Sequence, residues 1–434
     1  MTHLSPENRL LVSCIQAGIS EAAVYEIHDM LRLPLAWEEF LKSAFWHRVA
    51  PLVYGNLKDI PEGCLVPPDV MEQLKKEYFA TLARNMLLYD GLKRVLESFH
   101  EEEIEVILLK GAALAKTVYA DIGMRPMGDI DIMVRREDLS QAEGRLSALG
   151  YVFCGGHPPE WWRENHNHIG YHHPEKTLRV ELHWHITNEL NPLRIRDFDF
   201  DIIDSFWKKT ALGEAFGGKG LILSPEDSLL YLSIHFLKHR FFNSANGGFT
   251  SKGALLQLSD ILYTLKHYGD TIDWVRFMKE GEEHGIYVLR DLVLRLMMEI
   301  MRKGNDISCG GSEDHTFGNA NQEILELMAK KMFIREEARP YFSKSLIAAL
   351  KGRTLRSVAG KLLRDIFPSP EVMSKGYAVP LKSKSLYFFY VKRPVDLFLK
   401  HRQMMSEIPR MKEDVILNRW IDSRANPSAP EKPK

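Results

Sequence analysis

Asp129 and Asp131 stand two apart in residues 129–134 (DIDIMV), where Ile130, Ile132 and Val134 alternate with Asp129, Asp131 and Met133 as a half-buried strand would. On a strand both carboxylates leave the same face, roughly 7 Å apart at Cα for a rise of about 3.3 Å per residue. A third acid, Glu181, falls in residues 177–186 (TLRVELHWHI), the cleanest alternation in the chain. There Leu178, Val180, Leu182, Trp184 and Ile186 take one face, and Arg179, Glu181, His183 and His185 the other. Carboxylate oxygens gathered at one sheet end suit Mg²⁺ or Mn²⁺. Two such ions about 3.5–4 Å apart activate an attacking hydroxyl and neutralise a leaving pyrophosphate. An Asp-x-Asp spacing alone is also what a solvated strand end presents, so its surroundings decide.

Those surroundings read as a small α/β unit. Residues 104–109 (IEVILL) have the pattern of a buried strand, Lys110-Gly111 follows, and 112–120 reads as a helix. Residues 121–128, with Gly123, Pro126 and Gly128, form a loop feeding the Asp129 strand; 137–149 is an amphipathic helix stopped by Gly150. Residues 154–175 are polar and rich in His and Trp, without a clear element. Upstream, residues 6–99 are helical and punctuated by Pro51, Pro61 and Pro67-Pro68, with a last long helix over 69–102. Downstream, Ser224-Pro225-Glu226-Asp227 is a capping signal that opens a helical stretch, clearest at 229–240 and 255–267. Residues 243–252 and 304–321 read as loops, and the chain beyond 366 as irregular. The expected divisions are an N-terminal helical region (1–100), a core (101–215), a helical domain (216–370) and an irregular tail (371–434).

The bulk properties exclude several classes. With 434 residues, 45% hydrophobic and 26% charged, the chain is an ordinary globular one of two or three domains. Its formal net charge of −1 does not advertise long nucleic acid as a partner. Four cysteines, Cys14, Cys64, Cys154 and Cys309, form no short CxxC pair, which argues against a disulfide framework or a Cys-rich zinc site. No basic stretch followed by an apolar run opens the sequence, and no segment approaches the roughly 18 apolar residues of a spanning helix. A cytoplasmic protein is expected; the oligomeric state is not legible.

Taken in order, LLKGAAL (108–114), RPMGDIDIMV (125–134), VELHW (180–184) and IHFLKHR (234–240), with HRVAPLVYGNL (47–57) and LSPEDSLLYL (223–232), make the chain recognisable. It resembles the polymerase-β-like nucleotidyltransferase superfamily, most closely a poorly characterised bacterial branch, from about residue 35 to about 290. That resemblance implies an α+β fold, a small mixed-sheet core flanked by N-terminal and C-terminal helical domains. It implies two Mg²⁺ (or Mn²⁺) ions on Asp129, Asp131 and Glu181, with Glu181 helping to activate the acceptor. The reaction implied moves an NMP group from an NTP donor to a hydroxyl acceptor: a small molecule, a sugar intermediate or a protein side chain. Gly111 would let the chain approach the triphosphate at a helix start, where free N–H groups favour anions. Many members carry Ser after this glycine, whereas Ala112 stands here, so Lys110 either supplies a point charge to phosphate or is structural. That departure keeps open a catalytically degenerate nucleotide sensor or scaffold, and a toxin-like transferase acting on RNA or protein is a third reading.

Other candidates carry two readings each. Arg125 clamps a phosphate or pairs with Asp121 or Asp129 to hold the turn. Lys238 and His239 reach the triphosphate, or serve with His235 in hydrogen bonding between helices. His157, His166, His168, His172, His173, His183 and His185 crowd the middle of the chain in no familiar zinc spacing, and a supporting role beside the metals suits His183. Trp161-Trp162 stacks on a base or is buried. Residues 386–402 mix aromatics with Lys and Arg, with Pro394 expected to break the helix.

Overall fold

The two alternating segments become adjacent strands. A computed structural model of the chain describes residues 4–16, 21–60, 65–187, 201–242, 250–301, 322–334, 367–377, 379–381, 383–400, 413, 416–417 and 420. Seven strands, β1 (Ile107–Leu108), β2 (Ile130–Met133), β3 (Val152–Phe153), β4 (His168–His173), β5 (Leu178–His183), β6 (Ala211–Leu212) and β7 (Leu221–Ile222), form one sheet in the order β3-β4-β5-β2-β1-β7-β6. The sheet is mixed: β2 runs parallel to β5 and β1 parallel to β7, while the other neighbours are antiparallel. Its register sets Asp131 directly beside Glu181.

Helices surround this sheet. Before it come α1 (Pro6–Cys14), α2 (Glu21–Leu31), α3 (Trp37–Trp46), α4 (Ala50–Leu57) and the 33-residue α5 (Pro68–His100). Within it lie α6 (Lys110–Thr117), α7 (Leu139–Ala148), α8 (Pro159–Asn165) and α9 (Ile202–Lys208). After it follow α10 (Pro225–Leu237), α11 (Ala254–Tyr268), α12 (Trp274–Glu283), α13 (Tyr287–Met301) and α14 (Gln322–Met332). Leu88, Leu92, Val95, Leu96 and Phe99 of α5 recur at helical spacing and bury a stripe against Ile130, Ile132, Val180 and Leu182. Leu139, Ala142 and Leu146 of α7 join the same core. The capping signal behaves as its sequence dictates: the Ser224 hydroxyl accepts from the Asp227 amide and Pro225 opens α10.

The chain divides into two compact units, residues 1–238 with 251–335, and residues 239–250 with 336–434. Everything above lies in the first. In the second, α15 (Pro370–Tyr377) and α16 (Ser385–Lys400) are helical where irregular chain is expected. Pro394 sits inside α16 rather than ending it. Its cost of about 3 kcal/mol is opposed by local anchoring: Leu386 is buried, and the Tyr390 hydroxyl donates to the Pro368 carbonyl at 2.6 Å.

Two further differences concern the core. The first strand is two residues long rather than six, and the featureless stretch 154–175 contains α8 and β4. The expected loop at 304–321 and most of that at 243–252 lie outside the described residues. Among the described residues, no helix is long and apolar enough to cross a membrane.

Candidate active site

The site begins at the end of β1. The Leu109 amide donates to the Asp131 carbonyl at 3.1 Å, and the chain then turns into α6 at Lys110, whose φ is +46°. A side-chain-bearing residue held in the left-handed region costs about 1 kcal/mol or more, and such strain concentrates at functional sites. Here it aims the Lys110 ammonium back over β2, where Nζ lies 2.6 Å from Asp131 Oδ1. From the other side, His183 Nε2 lies 3.1 Å from the same oxygen and 3.6 Å from Glu181 Oε2. Asp131, Glu181 and His183 each offer a ligand atom within 4.8 Å of the others, the spacing of a metal site. Asp129, one residue before β2, lies outside that tight group but within its field.

Electrostatics sort the three carboxyls. Burial alone would raise the Asp131 carboxyl, but Lys110 and the His183 hydrogen bond overrule it and hold it well below the usual range. Glu181 also resists burial, through the His183 hydrogen bond, and falls to about 2. Asp129 goes the other way: burial, then the charges of Asp131 and Glu181, push it up to about 6. The centre therefore holds two firm anions, one carboxyl poised to ionise, and one ammonium that Asp131 keeps protonated against the effect of burial. A divalent cation fits this donor set, because it would bring Asp129 into its ionised form and add positive charge to three carboxyls that share one lysine.

Behind the carboxylates runs a file of rings. His183 stacks on His168 with centroids 4.9 Å apart, His168 approaches His166 at 6.3 Å, and His166 packs on Trp162 at 4.2 Å. Trp161, 37% exposed, ends the file against His157. Burial, then the neighbouring His183, lowers His168 to about 3, which keeps that ring neutral. Lys238 closes α10 over the same region and donates to Asn167 Oδ1 at 3.1 Å. Burial, then Lys110, lowers it to about 8.

Other expected residues find different places. Arg125 pairs with neither Asp121 nor Asp129. Its Nε and Nη2 donate to the two oxygens of Asp260 on α11 at 3.1 and 2.7 Å, and Tyr119 donates to the same carboxylate at 2.8 Å. Gly111 packs against the Arg125 and Met127 side chains. A Cβ there would collide with Arg125 Nη1 and sit 2.7 Å from Met127 Cγ, so the glycine lets the turn close on α6. His235 meets Gln257 at 3.3 Å, and His239 belongs to the second unit.

Sequence reasoning missed Asp260, Asn167 and the α5 residues that hold the Asp-x-Asp turn. The Asn85 amide donates to the Ile122 and Arg125 carbonyls at 2.6 and 2.8 Å and accepts from the Met127 amide. Arg84 donates to the Met127 and Gly128 carbonyls at 3.2 and 2.8 Å. A polar residue, Asn85, inside the buried stripe of α5 was the available signal; Arg84 beside it is exposed.

A family model described as "Uncharacterised nucleotidyltransferase" matches residues 34–302. No curated protein and no solved structure matched the chain.

Proposed function

Because the chain belongs to this uncharacterised nucleotidyltransferase family, we propose that it transfers an NMP group from an NTP to a hydroxyl acceptor with release of pyrophosphate. The observation that carries the reading is the register of two parallel strands, which sets Asp131 beside Glu181 at the strained start of α6. Asp129, Asp131 and Glu181 would hold two Mg²⁺ or Mn²⁺ ions, with His183 orienting the last two. Those ions supply Lewis-acid activation of the acceptor and charge neutralisation of the leaving group. Lys110 moves from Asp131 to an incoming phosphate, while Lys238 adds a second cation and Glu181 receives the acceptor proton. Arg125 acts through position alone, by locking the turn to Asp260. The proposed acceptor is a small molecule, a sugar intermediate or a protein side chain.

Pyrophosphate release from each of the four NTPs, with Mg²⁺ or Mn²⁺ and a cell extract as acceptor source, tests this. The wild type is expected to release it with at least one NTP, and Asp131→Asn and Glu181→Gln to lose it. Release that survives both substitutions sinks the mechanism.

The 2.6 Å contact of Lys110 with Asp131 supports a second reading, in which the ammonium takes a cation's place and the fold serves as a nucleotide sensor. Mn²⁺ titration followed by electron paramagnetic resonance separates the two. Binding lost in Asp131→Asn favours the enzyme, and nucleotide binding without Mn²⁺ favours the sensor.

A further inference from the structure

A cleft of about 450 Å³ opens beside the Asp-x-Asp turn, between the α3–α4 junction, α5 and residues 126–128. That volume suits a small ligand. Its charged lining residues are Arg48, Arg84 and Glu77. None of the catalytic chemistry proposed above uses Arg48, although it lies in a stretch, residues 47–57, through which the family match runs.

Arg48 is built in an unusual way. It links α3 to α4 with φ at +59°, a conformation that glycine adopts more cheaply. Its neighbour Arg84 spends its guanidinium on the Met127 and Gly128 carbonyls. By contrast, no described residue hydrogen-bonds or ion-pairs with the Arg48 guanidinium, whose Nη2 faces Gly128 across the cleft. Solvent reaches the side chain, yet protein atoms crowd it. That crowding, then the charge of Arg125, lowers its basicity, and the charges of Asp129 and Asp260 oppose this. Gly128 completes the arrangement: Arg48 Nη2, at 4.0 Å, is the one heavy atom a Cβ there would meet, so the wall next to Asp129 is left open.

We propose that this cleft is a phosphate subsite, in which Arg48 binds a phosphate group of a substrate bidentately beside Asp129. Identifying the ligand as a substrate rests on the transferase reading; the anion site itself does not. The phosphate belongs either to the NTP donor or to a phosphorylated acceptor.

Calorimetric titration with inorganic phosphate, and separately with each of the four NTPs plus Mg²⁺, tests the proposal on wild type, Arg48→Gly, Arg48→Lys and Gly128→Leu. Glycine tolerates the backbone at position 48, so Arg48→Gly is expected to melt no lower than wild type. Phosphate is expected to bind the wild type and to weaken by about tenfold or more in Arg48→Gly, with partial recovery in Arg48→Lys. Gly128→Leu, which fills the cleft, is expected to lose it as well. If NTP affinity falls in parallel, the subsite takes the donor; if NTP affinity holds while phosphate binding falls, it takes the acceptor. Phosphate that fails to bind the wild type at tens of millimolar, or binds Arg48→Gly equally well, overturns the proposal. A failed transferase reading would look different: no pyrophosphate release from wild type, with phosphate binding still dependent on Arg48.

Discussion

Replacing Arg125 by Met is expected to damage the fold far more than nucleotide binding. The guanidinium is 9% exposed and Asp260 is 2% exposed, joined by two hydrogen bonds of 3.1 and 2.7 Å. Removing the cation leaves Asp260 with Tyr119 as its remaining side-chain donor, a buried charge without a directly paired cation. Breaking a buried pair in this way costs about 3–5 kcal/mol. Methionine roughly conserves the volume, so little of that arises from a cavity. Urea unfolding of Arg125→Met, Asp260→Asn and the double variant measures it, and a coupling energy above about 2 kcal/mol is expected. The coupling should persist from low to high salt, because ions do not screen a buried pair. In the folded variant at low temperature, NTP affinity should change less than about threefold, under 0.7 kcal/mol. A stability loss below about 1 kcal/mol together with a tenfold loss of NTP affinity would refute this reasoning and return Arg125 to the phosphates.

Three further outcomes are expected. Asp129, raised to about 6 from 3.8, binds its proton more tightly when folded, so stability falls as pH rises between those values. The loss is at most about 3 kcal/mol, less after solvent screening at a part-exposed carboxyl. Mn²⁺ selects the ionised form, so its melting-temperature gain should be larger at pH 7.5 than at pH 5, and equal gains would contradict the assignment. Lys110→Gly should be more stable than Lys110→Met by about 1–2 kcal/mol, since both lose the ion pair but only glycine relieves the left-handed backbone; equal urea midpoints would show there is no strain. Asn85→Leu should cost about 3 kcal/mol by stranding two carbonyls and an amide, and should speed hydrogen exchange at Met127, whose amide would keep its protection if the turn were held otherwise.

How much of this was legible depended on distance along the chain. Period-two alternation was enough to find the strands of Asp131 and Glu181, because one face of each packs on α5. Their pairing was not readable, since a parallel register is set by tertiary packing. β4 was hidden for a local reason: in HIGYHH the inward residues are Ile169, Tyr171 and His173, so a histidine occupies an apolar position and a glycine interrupts the pattern. Arg125 was weighed against acids within four residues, and its partner lies 135 positions away on α11. Gly111 was read as a point of approach for a triphosphate, and the side chains packed closest to it are those of Arg125 and Met127, which no local pattern announces. The helices at 370–377 and 385–400 escaped because proline lowers local propensity without forbidding a helix anchored elsewhere.

The most direct test of the central claim is transfer of label from the four α-phosphate-labelled NTPs, with Mg²⁺ or Mn²⁺ and a whole-cell extract, by wild type and by Asp129→Asn/Asp131→Asn. The account predicts label on an acceptor with the wild type alone, while both proteins melt as folded species. Equal labelling by the double variant, or no labelling and no NTP binding by the wild type, would contradict it.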